Sequence, residues 1–518
     1  MLISAGAMQR QDEQIFSSMH RDFLCLETQL HDPNFTVPML EFYVFVCAWL
    51  LHLADPEDRG LPLPKEVPVT FGSVPEYVVE DVAEFFTFIS NVVPEHLEML
   101  RAEQVATVAK FYAVFLGNMT YMKQAHLRAK FVEVLWRFTP EQRDSKPSPF
   151  FQVFVTDPIS EHSMVPALVS YFVDIEDDDV YARSYRRHQV AEIMKNLWAA
   201  PPHRKALEKV GASDPFRRYL MLLINDALDQ LDTGRGHIAK WVELKAKIAD
   251  AGFQALPQEE RSETLSDLQR QEGQAKGQFE FGMSSVAALS FYSTTITAPF
   301  SEPELASRLS GMLNFNVAEM MARREGAAKD GMSDADIKKH GLDSTLLLEA
   351  MGRVYVHVAF GLSSWKQDKQ LKPASIATQK AARLASISKP AGASGFLRSM
   401  ATDERSFSPD VFAKVAAILS GRQPELGQAF QAVVEVAEAV GDSERAQMED
   451  LGEIPDNYLD PITAELMKDP VELPSGSVMD RSVLKQHLLS SPTDPFNRAP
   501  LVLEDVVPAE DLRKEIEA

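Results

Sequence analysis

Apolar residues in the first 445 or so positions recur at spacings of three and four, which is typical of helices with one buried face. The stretch from Glu76 to Val92 is representative, with apolar residues at Val78, Val79, Val82, Phe85, Phe86 and Ile89. The same spacing continues in residues 104–138, 188–198 and 217–231. No useful length of this region alternates with period two, and prolines separate the periodic stretches. The pattern predicts a mainly α chain, an elongated and solenoid-like helical array over residues 1–445.

Three segments depart from this pattern. The acidic run Asp174–Asp179 is predicted to be a solvated loop or helix start rather than a metal site. The polar stretch Pro257–Gly277 is predicted to be an exposed helical hairpin or connector. Residues 363–399 are rich in Ser, Ala and Lys, and we expect a flexible insertion that acts as a solvated linker rather than a basic docking patch.

Composition narrows the class of protein. The chain has 75 acidic and 52 basic side chains, a formal charge of −23, so broad nucleic-acid binding is not expected. Only Cys25 and Cys47 are present, which excludes a disulfide framework and favours a reducing compartment. The most apolar run, residues 42–51, is half of what a bilayer-spanning helix needs, so we expect a buried core helix. With no signal-peptide pattern at the N-terminus, these features predict a soluble protein that does not enter membranes.

The pattern changes after Glu453, where the chain becomes compact and rich in proline. Pro470–Leu473 reads as a strand, 474–477 as a tight turn containing Gly476, and 478–479 as the returning strand. Asp480 is a candidate N-cap for a short helix. The remainder predicts a strand at Leu501–Leu503 and a final helix with Pro508 in its first turn. The segment is therefore a small α+β domain over residues 453–518.

A domain of this size is marginal on its own core and usually needs additional stabilisation. It contains no cysteine and one histidine, His487, so zinc and disulfide bonds are not expected to supply it. Charge-assisted hydrogen bonds between loops are the alternative. The candidates are Asp469, Asp480, Arg481, Asp494, Asn497 and Arg498.

The motif series IPDNYLDPI, LMKDPV, LPSGSVMDR, HLL and DPFNR, in this order, resembles the U-box, a zinc-free relative of the RING finger. The form SPTDPFNRAPL is similar to that of the U-box ubiquitin chain-elongation factors. Upstream, MLLINDALDQLD, APFSEPELASRLSGMLNFNV and ATDERSFSPDVF resemble the large helical core of the same family. Its members usually run to about twice this length, so we expect that the chain lacks much of the N-terminal core.

The resemblance implies a ubiquitin ligase that docks a ubiquitin-charged conjugating enzyme and orients it, with no covalent intermediate of its own and no cofactor. Ile462, Leu489, Pro495 and Pro500 would contact the conjugating enzyme, although packing within the domain remains the alternative for Ile462 and Leu489. Arg498 would bridge the enzyme and the donor ubiquitin; a bond that only shapes its loop is the alternative. Asp469, Pro470, Gly476, Asp480, Arg481, Asp494 and Asn497 would hold the fold.

The family also implies ubiquitin and ubiquitinated substrates as partners, a hexameric AAA ATPase segregase, and a cytoplasmic and nuclear location. Two rival mechanisms are open. A ligase with its own catalytic cysteine would need an exposed, activated thiol, whereas both cysteines lie among apolar residues and are expected to be inert. The second rival is a non-enzymatic helical adaptor that links ubiquitinated clients to the segregase.

Overall fold

The structure is a computed structural model that describes residues 17–57, 63–140, 149–156, 158–175, 179–326, 332–361, 373–386, 395–403, 405–451 and 454–517. The chain divides into two compact units. The first contains residues 1–177 and 192–207, and the second contains residues 178–191 and 208–518. The small C-terminal domain belongs to the second unit.

The first unit is built from helices packed around α5. Its helices are α1 (17–30), α2 (Pro33–Ala54), α3 (Val69–Gly72), α4 (Glu76–Val92), α5 (Ala102–Leu116), α6 (Ala125–Arg137), α7 (Pro149–Thr156), α8 (Pro158–Asp174), the end of α9 (Val180–Trp198) and most of α10 (Pro201–Val210). Helices α2, α6, α7 and α8 all contact α5. The aromatic rings of Phe111 and Tyr112 are fully buried there and pack against Phe131 of α6. Helix α4 buries Val79, Val82, Phe86 and Ile89, as its spacing predicts.

The prediction of a buried helix at residues 42–51 is only half correct. Helix α2 buries Leu40, Cys47 and Leu50 at 1 % exposure or less, whereas Phe42 and Phe45 on its opposite face are 54 % and 65 % exposed. Cys25 also lies among apolar residues in the sequence, but it is exposed, because its helix α1 is exposed along nearly its whole length. Among the described residues, α2 is also the one helix long and apolar enough to cross a bilayer by length and composition.

The helical part of the second unit contains the start of α9, α11 (Asp214–Ala249), α12 (Gln258–Tyr292), α13 (Pro303–Arg324), α14 (Asp334–Lys339), α15 (Ser344–Phe360), α16 (Pro373–Ser386), α17 (Gly395–Thr402), α18 (Pro409–Arg422) and α19 (Pro424–Leu451). Helices α11 and α12 form one long hairpin, whose turn lies between Ala249 and Gln258. The stretch 257–277 is therefore helical, as predicted, but it is the first part of α12 rather than a hairpin of its own. The two helices approach closely at Gly282, where an added Cβ would lie 2.7 Å from Cγ of Leu231.

The predicted insertion at 363–399 is wrong in part. Residues 373–386 form α16, which packs on α19, and residues 395–402 form α17, which contacts α13 and α19 and fully buries Phe396. The alanine-rich composition that predicted a linker also favours helix formation. Packing against the neighbouring helices then stabilises α16 and α17. Residues 363–372 and 387–394 lie outside the described residues.

The acidic run Asp174–Asp179 was predicted to be a solvated loop or helix start, and its residues 176–178 lie outside the described residues. Asp179 caps α9 by accepting hydrogen bonds from the backbone N–H groups of Tyr181 and Ala182.

Side-chain hydrogen bonds join the three core motifs singled out in the sequence. Arg308 of the second motif donates to the side chain of Asn225 in the first at 2.6 Å. Asn314 of the second motif donates to a carboxylate oxygen of Asp403 in the third at 3.1 Å, and accepts from the hydroxyl of Tyr355 at 2.7 Å. These polar residues therefore fix α11, α13, α15 and the end of α17 relative to one another.

The C-terminal domain has a three-stranded antiparallel sheet with strand order β2-β1-β3. Strand β1 (Pro470–Glu472) pairs with β2 (Val478–Asp480) and with β3 (Val507–Pro508), and Val471 lies opposite both Met479 and Pro508. Helices α20 (Arg481–Ser490) and α21 (Glu510–Glu517) complete the domain, and α20 also lies against α11 and α13. The small core contains Val471, Leu473, Met479, Leu484, Leu501 and Val506.

Two sequence predictions for this domain are wrong. Residues 501–503 do not form a strand; a short 3-10 helix covers Leu503–Asp505, while Leu501 packs into the core. Pro508 lies in β3 rather than in the final helix. Proline lacks an N–H group but can occupy an edge strand, and the neighbouring N–H of Ala509 donates to the carbonyl of Pro470 at 2.9 Å.

Candidate functional site

The loop that carries Ile462 is organised by the buried carboxylate of Asp460. One carboxylate oxygen accepts the backbone N–H groups of Ile462 at 2.8 Å and of Thr463 at 3.0 Å. The other oxygen accepts the N–H of Asp480 at 2.7 Å. Asp460 is 2 % exposed, whereas Ile462 is 51 % exposed. The loop backbone is therefore held in place while its apolar side chain remains open to a partner.

Sequence reasoning missed Asp460. An available signal was the Asp-Pro pair at the start of this loop, since aspartate carboxylates commonly accept from the backbone two residues ahead. The bond to Asp480 had no such signal, because its donor lies 20 residues further along the chain.

Asp480 is the N-cap of α20, as predicted, and it also ties the preceding loop to the helix. Its Oδ1 accepts from the N–H of Ser482 at 2.9 Å, and its Oδ2 accepts from the N–H groups of Lys468 at 2.6 Å and Asp469 at 3.0 Å. Burial acts to raise the pKa of Asp480, but these bonds and one from the Ser482 hydroxyl outweigh it and hold the pKa below its usual value. The carboxylate is thus kept ionised, and its hydrogen bonds tie the loop before β1 to the start of α20.

The other residues assigned to the fold lie at the ends of the sheet. Arg481 donates from Nε to the carboxylate of Asp469 at 2.8 Å, and its backbone N–H donates to the carbonyl of Asp469 at 2.9 Å. Gly476 has a φ of 81°, the left-handed conformation that glycine adopts readily in a tight turn. Pro470 is buried at the start of β1.

A third buried carboxylate, Asp494, closes the second loop. Its Oδ1 accepts from the N–H groups of Phe496 at 2.8 Å and Asn497 at 3.3 Å. Burial acts to raise the pKa of Asp494, but hydrogen bonds, the first from the Ser475 hydroxyl, hold it below its usual value. Asn497 accepts from the N–H of Ala499 at 2.9 Å, which agrees with a structural role.

Arg498 lies at the tip of this loop in an unusual backbone conformation. Its φ is 62°, in the left-handed region that disfavours residues other than glycine. Its N–H donates to the carbonyl of Asp494 at 2.8 Å. The side chain is exposed and makes no hydrogen bond or ion pair with any residue that the structure describes. The loop therefore presents a free guanidinium group at the surface.

The four predicted docking residues lie on three segments. Ile462 is in the first loop, Leu489 near the end of α20, and Pro495 and Pro500 flank Arg498 in the second loop. Ile462 and Pro500 are exposed, whereas Leu489 and Pro495 are half-buried. Leu489 is not part of the domain core. Their contact with a conjugating enzyme stays a prediction.

The structure bears on the rival cysteine mechanism. Cys47 is fully buried and burial raises the pKa of its thiol, which makes it unreactive. Cys25 is exposed.

Within the described ranges, no group of three or more His, Cys, Asp or Glu side chains has a geometry suited to a metal ion.

Comparison with known proteins gives two family matches. Residues 4–440 match the ubiquitin elongating factor core and residues 454–518 match the U-box domain. The chain belongs to the ubiquitin elongating factor family, and its C-terminal domain is a U-box.

Curated relatives carry matching names. The chain is 29 % identical over 506 residues to the Arabidopsis thaliana protein named "Probable ubiquitin conjugation factor E4", a match that covers 95 % of this chain and 45 % of the relative. It is 28 % identical over 516 residues to "Ubiquitin conjugation factor E4" of Schizosaccharomyces pombe, covering 96 % and 47 %. It is 27 % identical over 517 residues to "E4 ubiquitin-protein ligase UFD2" of Saccharomyces cerevisiae, covering 92 % and 50 %. The chain spans about half the length of the curated relatives it matches.

Proposed function

We propose that this protein is a U-box ubiquitin ligase that docks a ubiquitin-charged conjugating enzyme and promotes ubiquitin transfer. The observation that carries the proposal is the pair of loops closed by Asp460 and Asp494. Each loop has a fixed backbone and presents an exposed side chain, Ile462 on one and Arg498 on the other. An exposed apolar side chain on one loop and an exposed arginine on the other are suited to a partner that has an apolar contact surface and carbonyl groups to bind.

In this mechanism the covalent chemistry belongs to the conjugating enzyme. A lysine amine of the acceptor attacks the thioester carbonyl, the bond to the enzyme's cysteine breaks, and an isopeptide bond forms. The U-box contributes by orientation, because holding the donor ubiquitin in one reactive geometry removes most of the entropic cost of the attack. Ile462, Pro495, Pro500 and Leu489 would bind the conjugating enzyme.

Arg498 would restrict the donor ubiquitin. A guanidinium group is planar and can donate to two carbonyl groups at once, one on each protein. Its exposed position and its lack of a partner among the described residues favour this role over one in shaping the loop. Asp494 and Asn497 already hydrogen-bond the backbone of that loop.

The match to the ubiquitin elongating factor core supports chain elongation as the particular activity. From the family resemblance we propose ubiquitin on an already ubiquitinated substrate as the acceptor. We further propose, from the family resemblance, that a hexameric AAA ATPase segregase is a partner and that the protein acts in the cytoplasm and nucleus. A non-enzymatic adaptor would need the helical core alone, and the ordered U-box loops do not favour it.

The test is single-turnover discharge of a ubiquitin-charged conjugating enzyme, with free lysine or mono-ubiquitinated substrate as the acceptor. The full chain should accelerate discharge. A chelator should leave the rate unchanged, because residues 453–518 contain no cysteine and only one histidine to hold zinc. Normal binding of the conjugating enzyme without any acceleration across a panel of such enzymes would favour the adaptor. Loss of activity in chelator, restored by zinc, would contradict the mechanism.

A further inference from the structure

Helix α16 packs on α19 through one apolar side chain. Of the side chains at 376–385, Ile376 is the one that is buried, at 7 % exposure, whereas Gln379, Lys380 and Arg383 are half-buried and the others are exposed. Helix α17 differs, because it buries half of its eight residues, namely Phe396, Leu397, Met400 and Ala401. Apolar burial therefore holds α16 in place much less firmly than it holds α17.

The described residues do not fill the space between α16 and α19. This space has a volume of about 180 Å³, and the α19 side of it is lined by Glu425, Gln428, Ala429 and Ala432. Ile376 lines the α16 side. Because protein interiors hold few voids larger than a water molecule, the contact between the two helices is less tightly packed than a core.

Charge adds a second, weak attachment. Lys380 forms an ion pair with Glu435 of α19, and the two side chains are 33 % and 40 % exposed. Residues 373–386 contain Lys380 and Arg383 and no acidic residue, whereas the facing side of α19 carries Glu425 and Glu435. Exposed ion pairs stabilise little, because water and salt screen them. The α19 side is thus an acidic groove suited to a basic helix with one apolar anchor.

We propose that α16 is a releasable strap, which occupies this groove and leaves it while the remainder of the second unit stays folded. Burial of one isoleucine favours the docked state by about ten- to a hundredfold, and an exposed ion pair adds about fivefold at most. A helix of 14 residues is marginal in isolation, so release also unfolds α16. Such local opening costs less than unfolding of the whole unit.

The experiment is native-state hydrogen exchange on the full chain, read by mass spectrometry for each helix at low and high salt. Amide groups of α16 should exchange about 10²–10³-fold more slowly than in an unfolded peptide, and those of α17 and α19 at least about tenfold more slowly again. Salt at about 0.5 M should speed exchange in α16 by up to about fivefold, because it screens the ion pair.

Two pairs of variants separate the anchor from the charge. Ile376→Ala should speed exchange in α16 by about ten- to a hundredfold, whereas the control Leu384→Ala, at a 39 % exposed position, should change it by less than about twofold. Glu435→Gln should speed exchange by up to about fivefold and remove most of the salt effect. Its control, Glu438→Gln, lies at an exposed position of α19 and should do neither.

Exchange in α16 as slow as in α17 would overturn the proposal, and so would exchange without any protection, which would mean that α16 does not dock. Equal effects of Ile376→Ala and Leu384→Ala would also overturn it. If a variant speeds exchange in α17 and α19 as much as in α16, the unit opens as a whole and α16 is not a separate strap. The outcome does not depend on the proposed ligase activity.

Discussion

Replacing Arg498 with glycine should separate the backbone of its loop from its side chain. The native φ of 62° lies in a region that costs residues other than glycine about 1–2 kcal/mol. Glycine removes that cost but gains about 0.5–1 kcal/mol of conformational entropy in the unfolded chain. Because the Arg498 side chain has no partner among the described residues, its removal adds little. The net change should be a stabilisation of about 0–1.5 kcal/mol.

The same substitution should nevertheless slow ubiquitin transfer. If the guanidinium bridges the conjugating enzyme and ubiquitin, each charge-assisted hydrogen bond is worth about 1.5–3 kcal/mol in the reactive complex. Single-turnover discharge should therefore fall by about ten- to a hundredfold, while affinity for the uncharged conjugating enzyme is largely kept. Arg498→Ala should lose the same activity but keep the backbone strain. Arg498→Lys should recover part of the rate, because a point charge does not reproduce the planar fork.

Three measurements in the full chain decide between the roles. These are discharge rate, affinity for uncharged enzyme, and hydrogen exchange in the loop, where the N–H of Asp494 donates to the carbonyl of Ala499 at 2.8 Å. A structural arginine predicts faster exchange in the glycine variant and weaker binding of charged and uncharged enzyme alike. A glycine variant that discharges at the normal rate would refute the bridging role.

Three further substitutions test the site and the core. Asp460→Asn should weaken binding of the conjugating enzyme and loosen the first loop by about 1–3 kcal/mol, because an amide offers one acceptor oxygen where the carboxylate uses two. Isothermal titration measures the binding, and hydrogen exchange measures the stability of the loop. The control Asp456→Asn, at an exposed position, should change neither, and equal effects of the two variants would refute the reasoning. Ile462→Ala should weaken the same binding about thirtyfold with little change in melting temperature, since the side chain is 51 % exposed; unchanged binding would mean that the docking surface lies elsewhere. Gly282→Ala should destabilise the second unit by about 1–3 kcal/mol in denaturant unfolding, because its Cβ meets a side chain at 2.7 Å. Gly273→Ala on the same helix has open space and should stabilise by about 0.5–1 kcal/mol, so equal effects of the two would contradict the close approach of α11 and α12.

Features that depend on near neighbours in the chain could be read from the sequence. The spacing of apolar residues predicts α4 and the part of α11 between residues 217 and 231, because a helix buries one face at intervals of three and four. The turn at Gly476 and the N-cap at Asp480 were also predictable, since each is set by residues within about four positions. The order of the motifs in the last 66 or so residues is by itself enough to indicate the U-box.

Features that depend on distant residues were decided by the tertiary structure. Asp460 became the centre of the first loop because the N–H of Asp480 packs against it from 20 residues away. Residues 395–402 formed α17 because α13 and α19 bury its apolar side. The sequence does not indicate that Phe42 and Phe45 are exposed, because an apolar stripe has the same pattern whether or not a neighbouring element covers it. Periodicity fixes which residues share a face, whereas burial depends on what packs against that face, and that is decided by contacts between segments far apart in the chain.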